Sequence, residues 1–345
     1  MRLGIIARSD NTGLGNQTRE LVNMLSPDKI LLIDSTPFNN NKQHPEWYDQ
    51  YSCIKTHGFP SVQQIKMFLG DVDVVLSCET FYDQNFIRFA NRRGVKTILQ
   101  YNYELFGHLA NPELPLPTVL LSPSLWQIET IQSMFGNRTK VIHLPPPTTP
   151  ELFATAKNNN ISKSHNRLLH IAGKKAAKDR NGTETVINML KHSKADYELV
   201  IRSQSEIVTN VTDSRLKIEI GNPENREDLY NGFDAMVLPR RYAGLCLPMN
   251  EALLSGLPVF MTNVSPNNQI LPQDWLVDSE SIGTIKTKVR INLFEANNIL
   301  LAQTIDKYMS INDKTNYKQQ AYDLGFNNFA PTILKDKYLE LISQI

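Results

Sequence analysis

The chain has 345 residues, of which 41% are hydrophobic, so it can supply a core to each of two domains, and neither a disordered nor a fibrous class fits. Its formal net charge of +1 excludes a global field that attracts nucleic acid or an anionic membrane, so any such partner must be recognised locally. The three cysteines are odd in number and lack metal-ligand spacing, which argues against a disulfide framework and favours a reducing compartment.

The N-terminal segment, residues 1–8, holds only a short apolar run, which predicts a first strand rather than a signal peptide. No later apolar run reaches the length that a membrane-spanning helix needs. We therefore expect a cytoplasmic protein without membrane insertion.

Short continuous apolar runs in the first half predict buried strands of a parallel sheet. These runs cover residues 3–7, 30–33, 72–76, 97–99 and 119–121. Between them, residues 21–25 and 86–90 carry the apolar faces of two helices, and Gly94 ends the second. This alternation is typical of βαβ units.

The pattern breaks after His143, where three prolines precede an Asn- and Ser-rich stretch that predicts neither strand nor helix. We therefore predict a Rossmann-like N-terminal domain over residues 1–150, a linker over 151–166 and a second Rossmann-like domain over 167–328. Residues 329–345 predict an amphipathic helix that returns to the N-terminal domain. In the second half we predict strands at residues 168–172, 198–201, 216–220, 235–238 and 259–261, and helices at 183–192, from Asn222 and Pro223, and at 249–254.

The loop after the first strand carries two glycines at the start of a helix. Ligands of open α/β sheets bind beyond the carboxyl ends of strands, and amides near Gly13 and Gly15 can hold a phosphate or a sugar hydroxyl. In the same loop, Asp10 is a candidate catalytic residue and Asn11 a candidate acceptor contact. The spacing matches neither the dinucleotide fingerprint nor a P-loop, so a tight turn without a ligand is the alternative.

The first loop of the second domain carries four cations between a strand and a helix. Lys174 and Arg180 are candidates to neutralise a diphosphate, and Arg202, further along, is another donor-binding candidate. A solvated basic face is the alternative, and it applies more strongly to Lys175 and Lys178.

A glycine-bearing loop and a helix start follow the predicted strand at residues 235–238. Amides at a helix start can hold an anion, and Glu251 lies in the predicted first turn. The helix macrodipole also favours a carboxylate there, so a capping role alone is the alternative for Glu251. The donor-binding candidates of this segment are Tyr242, Gly244, Leu245, Cys246, Leu247 and Glu251.

This segment resembles the signature of nucleotide-sugar glycosyltransferases of the GT-B fold, in particular their large family four. Five residues match the pattern E-x-F-G-x-x-x-x-E followed by A-x-x-x-G-x-P-V: Glu251, Ala252, Gly256, Pro258 and Val259. Ala243 stands where the family has its first Glu, which suggests a donor sugar with fewer or differently placed hydroxyls, or a partner group supplied elsewhere. The resemblance implies that Glu251 holds the nucleotide ribose and that Lys174 and Arg180 clamp the donor diphosphate.

Three runs are similar to glycosyltransferases carried by bacteriophages and some bacteria: TGLGNQT ending at Thr18, YNYE ending at Glu104, and LPRRY ending at Tyr242. The broader resemblance covers nearly the whole chain. It implies an α/β GT-B fold with two Rossmann-like domains facing an interdomain cleft and a C-terminal helix crossing back. A phage-encoded protein would act in the host cytoplasm.

By the same resemblance, the N-terminal domain receives the acceptor. Glu79 and Glu104 follow the third and fourth predicted strands and are candidates to orient or deprotonate an acceptor hydroxyl. A helix-capping role is the alternative for each. The candidate acceptor contacts are Asn11, Tyr82, Tyr101, Tyr103, Arg92 and Arg93.

The resemblance implies a hexosyl- or pentosyltransferase with a UDP- or GDP-type donor, retention of anomeric configuration, and no required metal or other cofactor. Arg92 and Arg93 belong to a basic strip with interleaved aromatics that can follow a phosphate backbone, so a hydroxylated base in double-stranded phage DNA is the first acceptor to consider. A virion protein, a glycan and a lipid are alternative acceptors. A non-catalytic nucleotide-sugar-binding protein and a nucleotide-sugar epimerase are the alternative functions.

Overall fold

The computed structural model describes residues 1–38, 40–174 and 178–345, which form two compact units. Met1–Thr148 and Phe329–Ile345 make up the first unit, and Thr149–Asn328 make up the second. Lys175, one of the four loop cations, lies outside the described residues. Among the helices of the described ranges, none is both long and apolar enough to cross a membrane.

The first unit is built on a seven-stranded parallel sheet. Its strands are β1 (Leu3–Arg8), β2 (Lys29–Asp34), β3 (Cys53–His57), β4 (Val74–Cys78), β5 (Lys96–Gln100), β6 (Val119–Ser122) and β7 (Lys140–His143). They lie in the order β3-β2-β1-β4-β5-β6-β7. The first four helices are α1 (Gly13–Leu25), α2 (Val62–Gly70), α3 (Phe86–Arg92) and α4 (Ile128–Phe135). All five predicted strands are present, whereas β3 and β7 were not predicted because these edge strands are only partly buried and lack an apolar run.

The second unit holds a six-stranded parallel sheet and a separate antiparallel hairpin. Its strands are β8 (Arg167–Gly173), β9 (Glu198–Ser203), β10 (Leu216–Ile220), β11 (Ala235–Val237), β12 (Val259–Thr262), β13 (Leu276–Val277), β14 (Ser279–Lys286) and β15 (Arg290–Ala296). The sheet order is β10-β9-β8-β11-β12-β13, and β14 pairs with β15. Its helices are α5 (Ala154–Ser162), α6 (Thr183–Met189), α7 (Leu247–Leu254), α8 (Asn298–Met309) and α9 (Thr315–Phe329). Two parallel sheets of this kind confirm the predicted pair of Rossmann-like α/β domains.

Two predictions for the second half are wrong. The stretch expected to be irregular contains helix α5, because the buried amide of Asn160 donates to the carbonyls of Tyr230 and Ser255, each at 2.9 Å. These bonds pair a polar side chain that would otherwise favour a loop. The helix expected from Asn222 and Pro223 is only a short 3-10 turn, Arg226–Leu229.

The last helix, α10 (Pro331–Ser343), belongs to the first unit. Its buried side chains Leu334, Tyr338, Leu341 and Ile342 join the core cluster formed by one face of the sheet and helix α1. The Tyr338 hydroxyl donates to the carbonyl of Pro145 at 3.0 Å and accepts from the side-chain amide of Gln100 at 3.2 Å. The helix is therefore fixed to the sheet by both apolar packing and hydrogen bonds.

Candidate functional site

In the second unit, Lys174 and Arg180 line one pocket of about 730 Å³ beyond the end of β8. Lys174 directly follows Gly173, whose φ of +67° turns the chain out of the strand, and its side chain is exposed. Ser203 and Ser205, at the end of the neighbouring strand β9, also line the pocket. The structure therefore brings the two predicted cations to one pocket, which is also lined by these serines and by the carboxylate residues Asp179, Glu184 and Glu206.

The loop that carries Arg180 is held by hydrogen bonds to helix α6 and by close packing against the segment after β11. Asp179 caps helix α6, because its carboxylate accepts from the amides of Thr183 at 3.0 Å and Glu184 at 2.9 Å. A Cβ on Gly182 would lie 2.3 Å from the carbonyl oxygen of Pro239, so only glycine allows this close approach. The loop after β8 thus packs directly against the segment after its sheet neighbour β11.

Arg202 does not line the pocket with the two loop cations, as far as the described residues show. Its Nε lies 3.3 Å from Glu219 Oε2 on the adjacent strand, and its guanidinium lies 5.7 Å from the centre of the Phe233 ring. Burial lowers the pKa of Arg202. These contacts pair the side chain with the neighbouring strand, and Arg202 stays a predicted donor contact outside the pocket of Lys174.

Glu251 lies one full turn inside α7, so the expectation that it occupies the first turn is wrong, and with it the capping alternative. The residue is 5% exposed, and its carboxylate accepts a hydrogen bond of 2.6 Å from the Tyr230 hydroxyl and forms an ion pair with Arg226. Burial, followed by the charge of this carboxylate, raises the pKa of Tyr230. Glu251 is not among the described residues that line the pocket of Lys174 and Arg180.

The glycine-bearing loop before α7 contains a residue with unusual backbone geometry. Ala243, which replaces the first Glu of the resembled signature, is buried and has a φ of +100°. An L-residue is strained in this region, and such strain often accompanies functional loops. The loop is tied by a bond of 2.9 Å from Arg240 Nη1 to the carbonyl of Leu245. Of the remaining candidates, Gly244 and Cys246 are buried, and Tyr242 and Leu247 are partly buried.

In the first unit, the loops after β1, β4 and β5 lie side by side, because these three strands are neighbours in the sheet. Asp10, after β1, is fully buried and accepts bonds from the Ser35 and Thr12 hydroxyls and from Arg8. Burial alone would raise the pKa of Asp10, but these bonds outweigh it and lower the pKa. Such a carboxylate holds the loop and is a poor proton acceptor, contrary to its predicted catalytic role.

The two glycines of this loop differ in their surroundings. A Cβ on Gly15 would lie 1.9 Å from the carbonyl oxygen of Asp10, so helix α1 approaches the loop as closely as glycine allows. Gly13 is exposed at the first position of α1, and Asn11 is exposed with its side-chain amide 3.4 Å from His44 Nε2. The tight-turn alternative therefore accounts for Gly15, whereas Gly13 and Asn11 remain accessible.

Glu79 and Glu104 form a carboxylate pair at this edge of the sheet. Glu79 has a φ of +64°, and its Oε1 accepts a bond of 2.6 Å from the amide of Asn102. Burial first, and then the negative charge of Glu104, raise the pKa of Glu79 more than Asn102 and Arg8 lower it. Oε2 of Glu104 is buried and has no hydrogen-bond partner among the residues that the structure describes. An open oxygen and a raised pKa are the properties of a proton acceptor.

The three predicted tyrosines divide into two groups. Tyr101 is 1% exposed and packs in the core against Phe106, with ring centres 5.1 Å apart, and burial raises its pKa to about 12. It is a core residue, so its prediction as an acceptor contact is wrong. Tyr82 and Tyr103 are only partly buried, and Tyr82 has a φ of +61° in the loop of Glu79.

Arg92 and Arg93 lie at the opposite edge of the sheet from the carboxylate pair. Helix α3 ends at Arg92, and the chain then enters β5 at Lys96, which is the amino end of that strand. Both arginines are exposed. Glu79 and Glu104 follow the carboxyl ends of β4 and β5, whereas the two arginines precede the amino end of β5. One acceptor site therefore cannot use both the carboxylate pair and these arginines.

Sequence reasoning missed three residues that shape these sites. Arg226 and Tyr230 bind Glu251, and Arg241 contacts the loop of Arg180 through its backbone and side chain. Arg241 is 8% exposed despite its charge. The adjacent pair of arginines at 240 and 241 was the only signal in the sequence, since two consecutive charges after a buried strand need partners.

No protein-family model matches the chain, and no curated protein sequence matches it. Solved structures do. HepE of Anabaena, in complex with UDP-glucose, matches with a TM-score of 0.70 and 10% identity over 100% of both chains. A glycosyltransferase from Rickettsia africae matches with a TM-score of 0.68 and 12% identity over 99% of this chain and 98% of that one. An alpha-glucosyltransferase, in complex with UDP and a 13-mer DNA, matches with a TM-score of 0.62 and 9% identity over 99% of each chain.

These neighbours are GT-B glycosyltransferases, and the matches extend over whole chains. The predicted GT-B fold is thereby confirmed. At identities this low, the likeness concerns the fold, and the chemistry must be argued from the site.

Proposed function

We propose that the chain is a glycosyltransferase that takes a sugar from a nucleoside diphosphate sugar. The observation that carries this proposal is the pocket beyond β8, which Lys174 and Arg180 both line. A leaving diphosphate develops negative charge, which two cations neutralise best in a partly enclosed site. The complexes of HepE with UDP and with UDP-glucose support a donor of the UDP type, and a GDP type is the alternative.

For the donor, we assign the diphosphate to Lys174 and Arg180 and the sugar to the loop of Tyr242 and Gly244. Because both cations come from the protein, the reaction needs no metal ion. The family resemblance supports Glu251 as the ribose contact and supports retention of anomeric configuration. Since Arg226 and Tyr230 already occupy the carboxylate of Glu251, ribose binding there requires at least one of these partners to be shared or displaced.

For the acceptor, we assign Glu79 and Glu104 to the reacting hydroxyl. The hydroxyl proton passes to a carboxylate of the pair while its oxygen bonds to the anomeric carbon. The bond from that carbon to the diphosphate breaks, and the electron pair leaves with the diphosphate. The unpartnered oxygen of Glu104 and the raised pKa of Glu79 support this role.

The donor assignment is tested by calorimetric binding of UDP and GDP and by release of nucleoside diphosphate from UDP-glucose and GDP-mannose. Lys174→Ala and Arg180→Ala should each weaken binding about 10- to 100-fold, the loss of a charge-assisted hydrogen bond. Lys217→Ala is the matched control, because this lysine is 52% exposed on β10 and pairs with Glu219. Full-strength binding by both pocket variants would contradict the assignment.

The same assay separates the alternative functions. A non-catalytic binding protein would bind the donor and release no nucleoside diphosphate. A nucleotide-sugar epimerase would interconvert free nucleotide sugars without an acceptor. A glycosyltransferase releases nucleoside diphosphate and does so faster with its acceptor.

We propose a hydroxylated base in phage DNA as the first acceptor to test, and a virion protein, glycan or lipid as the next. The phage-like runs and the DNA complex of the alpha-glucosyltransferase neighbour support DNA. Because Arg92 and Arg93 lie at the other sheet edge, they would bind DNA only on a second surface. Transfer of labelled sugar to a duplex with hydroxymethylated cytosine, and none to an unmodified duplex, is the expected result; equal labelling of both duplexes, or of neither, would remove this acceptor.

A further inference from the structure

Arg241 joins three parts of the second unit. It follows β11 and is 8% exposed, so its charge is satisfied inside the protein. Its backbone amide donates to the carbonyl of Arg180 at 2.8 Å, and its Nη1 donates to the carbonyl of Lys178 at 3.0 Å. Two bonds from one residue therefore hold the backbone of the cationic loop on both sides of Asp179.

On its other side, Arg241 is bound to the hairpin of β14 and β15. Its Nη2 forms an ion pair with Glu295, and its carbonyl accepts a bond of 3.0 Å from the amide of Phe294. Asp179 and Glu184 lie 3.9 and 4.0 Å from the guanidinium. The residue is thus a fixed bridge between β15 and the loop of Arg180.

The loop needs such a bridge because its backbone is strained. Lys178 and Asp179 have φ values of +57° and +46°, in the left-handed region that costs free energy for residues other than glycine. Strained conformations persist only where the surroundings hold them. The planar, forked guanidinium of arginine can bond to the carbonyl of Lys178 and to Glu295 at once, whereas a lysine ammonium is a point charge on a flexible stem.

We propose that Arg241 is a positioning residue that holds Arg180 in place to bind the donor diphosphate. This inference rests on the proposed function of the pocket. Arg241 acts through the loop and not through contact with the ligand, so its loss should affect the diphosphate part of the donor selectively. A nucleoside, which lacks phosphates, should be insensitive to it.

The test compares calorimetric binding of UDP, GDP and uridine to the wild type and to Arg241→Ala, Arg241→Lys and Glu295→Gln. We expect Arg241→Ala to weaken UDP binding about 10- to 100-fold, the loss of one charge-assisted bond, and to leave uridine binding unchanged. Glu295→Gln keeps the arginine and should give a smaller effect in the same direction. Arg241→Lys should not restore binding, because it cannot make the forked contact.

Arg215→Ala is the matched control. Arg215 is a second partly buried arginine of this unit, and its guanidinium donates to the carbonyls of Ser193, Ala195 and Leu190, which are not among the described residues that line the pocket. It should lower the melting temperature without changing UDP binding. If Arg241→Ala binds UDP as the wild type does, or loses UDP and uridine equally, the positioning role is refuted; if the wild type binds neither UDP nor GDP, the proposed function itself fails.

Discussion

The buried ion pair of Lys318 and Asp234 gives a sharp prediction for the stability of the second unit. The side chains are 1% and 0% exposed. The Lys318 ammonium donates to Asp234 Oδ1 at 2.7 Å, to the carbonyl of Asn160 at 2.7 Å and to the carbonyl of Lys163 at 2.8 Å. These bonds join helix α9 to α5 and to Asp234, the residue directly before strand β11.

Lys318→Met should destabilise the unit by about 3–5 kcal/mol, because removing one partner leaves a buried charge uncompensated. Asp234 keeps bonds from the amides of His165 and Arg167, which limits the loss to that range. For a unit of this size, the expected fall in Tm is about 6–20 °C. Adding Asp234→Asn should recover part of the loss, because it removes the charge.

The assay is urea unfolding and thermal melting of the whole chain, with Lys314→Met as the control. Lys314 is also buried, but among the described residues its ammonium donates to the carbonyls of Met309 and Ile311 and to no carboxylate, so its loss should cost about 1–3 kcal/mol. Burial raises the pKa of Asp234, but the hydrogen bond and the charge of Lys318 lower it by more, so the pKa is lowered overall. Ionised Asp234 therefore stabilises the fold above its unfolded pKa, and this stabilisation is lost as pH falls through the folded pKa. The free-energy cost of Lys318→Met should shrink as pH falls, because protonation of Asp234 removes the charge that the variant leaves uncompensated. A loss below about 1 kcal/mol would refute this reasoning.

Two further predictions concern the first unit. Glu104→Gln removes a negative charge that helps to raise the pKa of Glu79, so the acidic limb of the pH–rate profile for transfer should move to lower pH. An unchanged acidic limb would show that the two carboxylates are not coupled. Gly15→Ala should lower the free energy of unfolding by about 1–3 kcal/mol, measured in urea, because its Cβ would meet the Asp10 carbonyl at 1.9 Å. Gly107→Ala is the control: no atom of the described residues lies within 4 Å of the added Cβ, so the free energy of unfolding should stay within about 0.5 kcal/mol of the wild type.

The central strands were predictable, whereas the edge strands β3, β7 and β13 were not predicted, although the edge strand β10 was. A strand such as β4 is buried on both faces and shows as a run of apolar residues, whereas β3 and β14 face solvent and have no such run. Helix α5 is polar in sequence, and its hydrogen bonds with residues distant along the chain, such as Tyr230, Ser255 and Lys318, favour a helix there. Local pattern cannot reveal a partner that is supplied from elsewhere in the chain.

The same limit applies to the candidate sites. Lys174 and Arg180 share one loop, so their meeting at a pocket could be foreseen from position alone. Arg92 and Arg93 looked equally basic, but a charge pattern does not tell which edge of a sheet it occupies. Arg241 was missed because its role depends on Glu295, whose strand carries no apolar run strong enough to predict it.

Among the candidate carboxylates, the hydrogen bonds of the oxygen atoms distinguish catalytic from structural roles better than the position in the sequence does. Both oxygens of Asp10 accept bonds from protein donors, and those of Glu251 accept from Arg226 and Tyr230. Such groups have little capacity left to accept a substrate proton, and their bonds fix the surrounding backbone instead. Glu104 has an oxygen without a donor among the described residues, and this oxygen carries the cost of burial unless something binds there. A substrate hydroxyl would supply the missing donor, so a catalytic role for the Glu79 and Glu104 pair accounts for a cost that a structural role leaves unexplained.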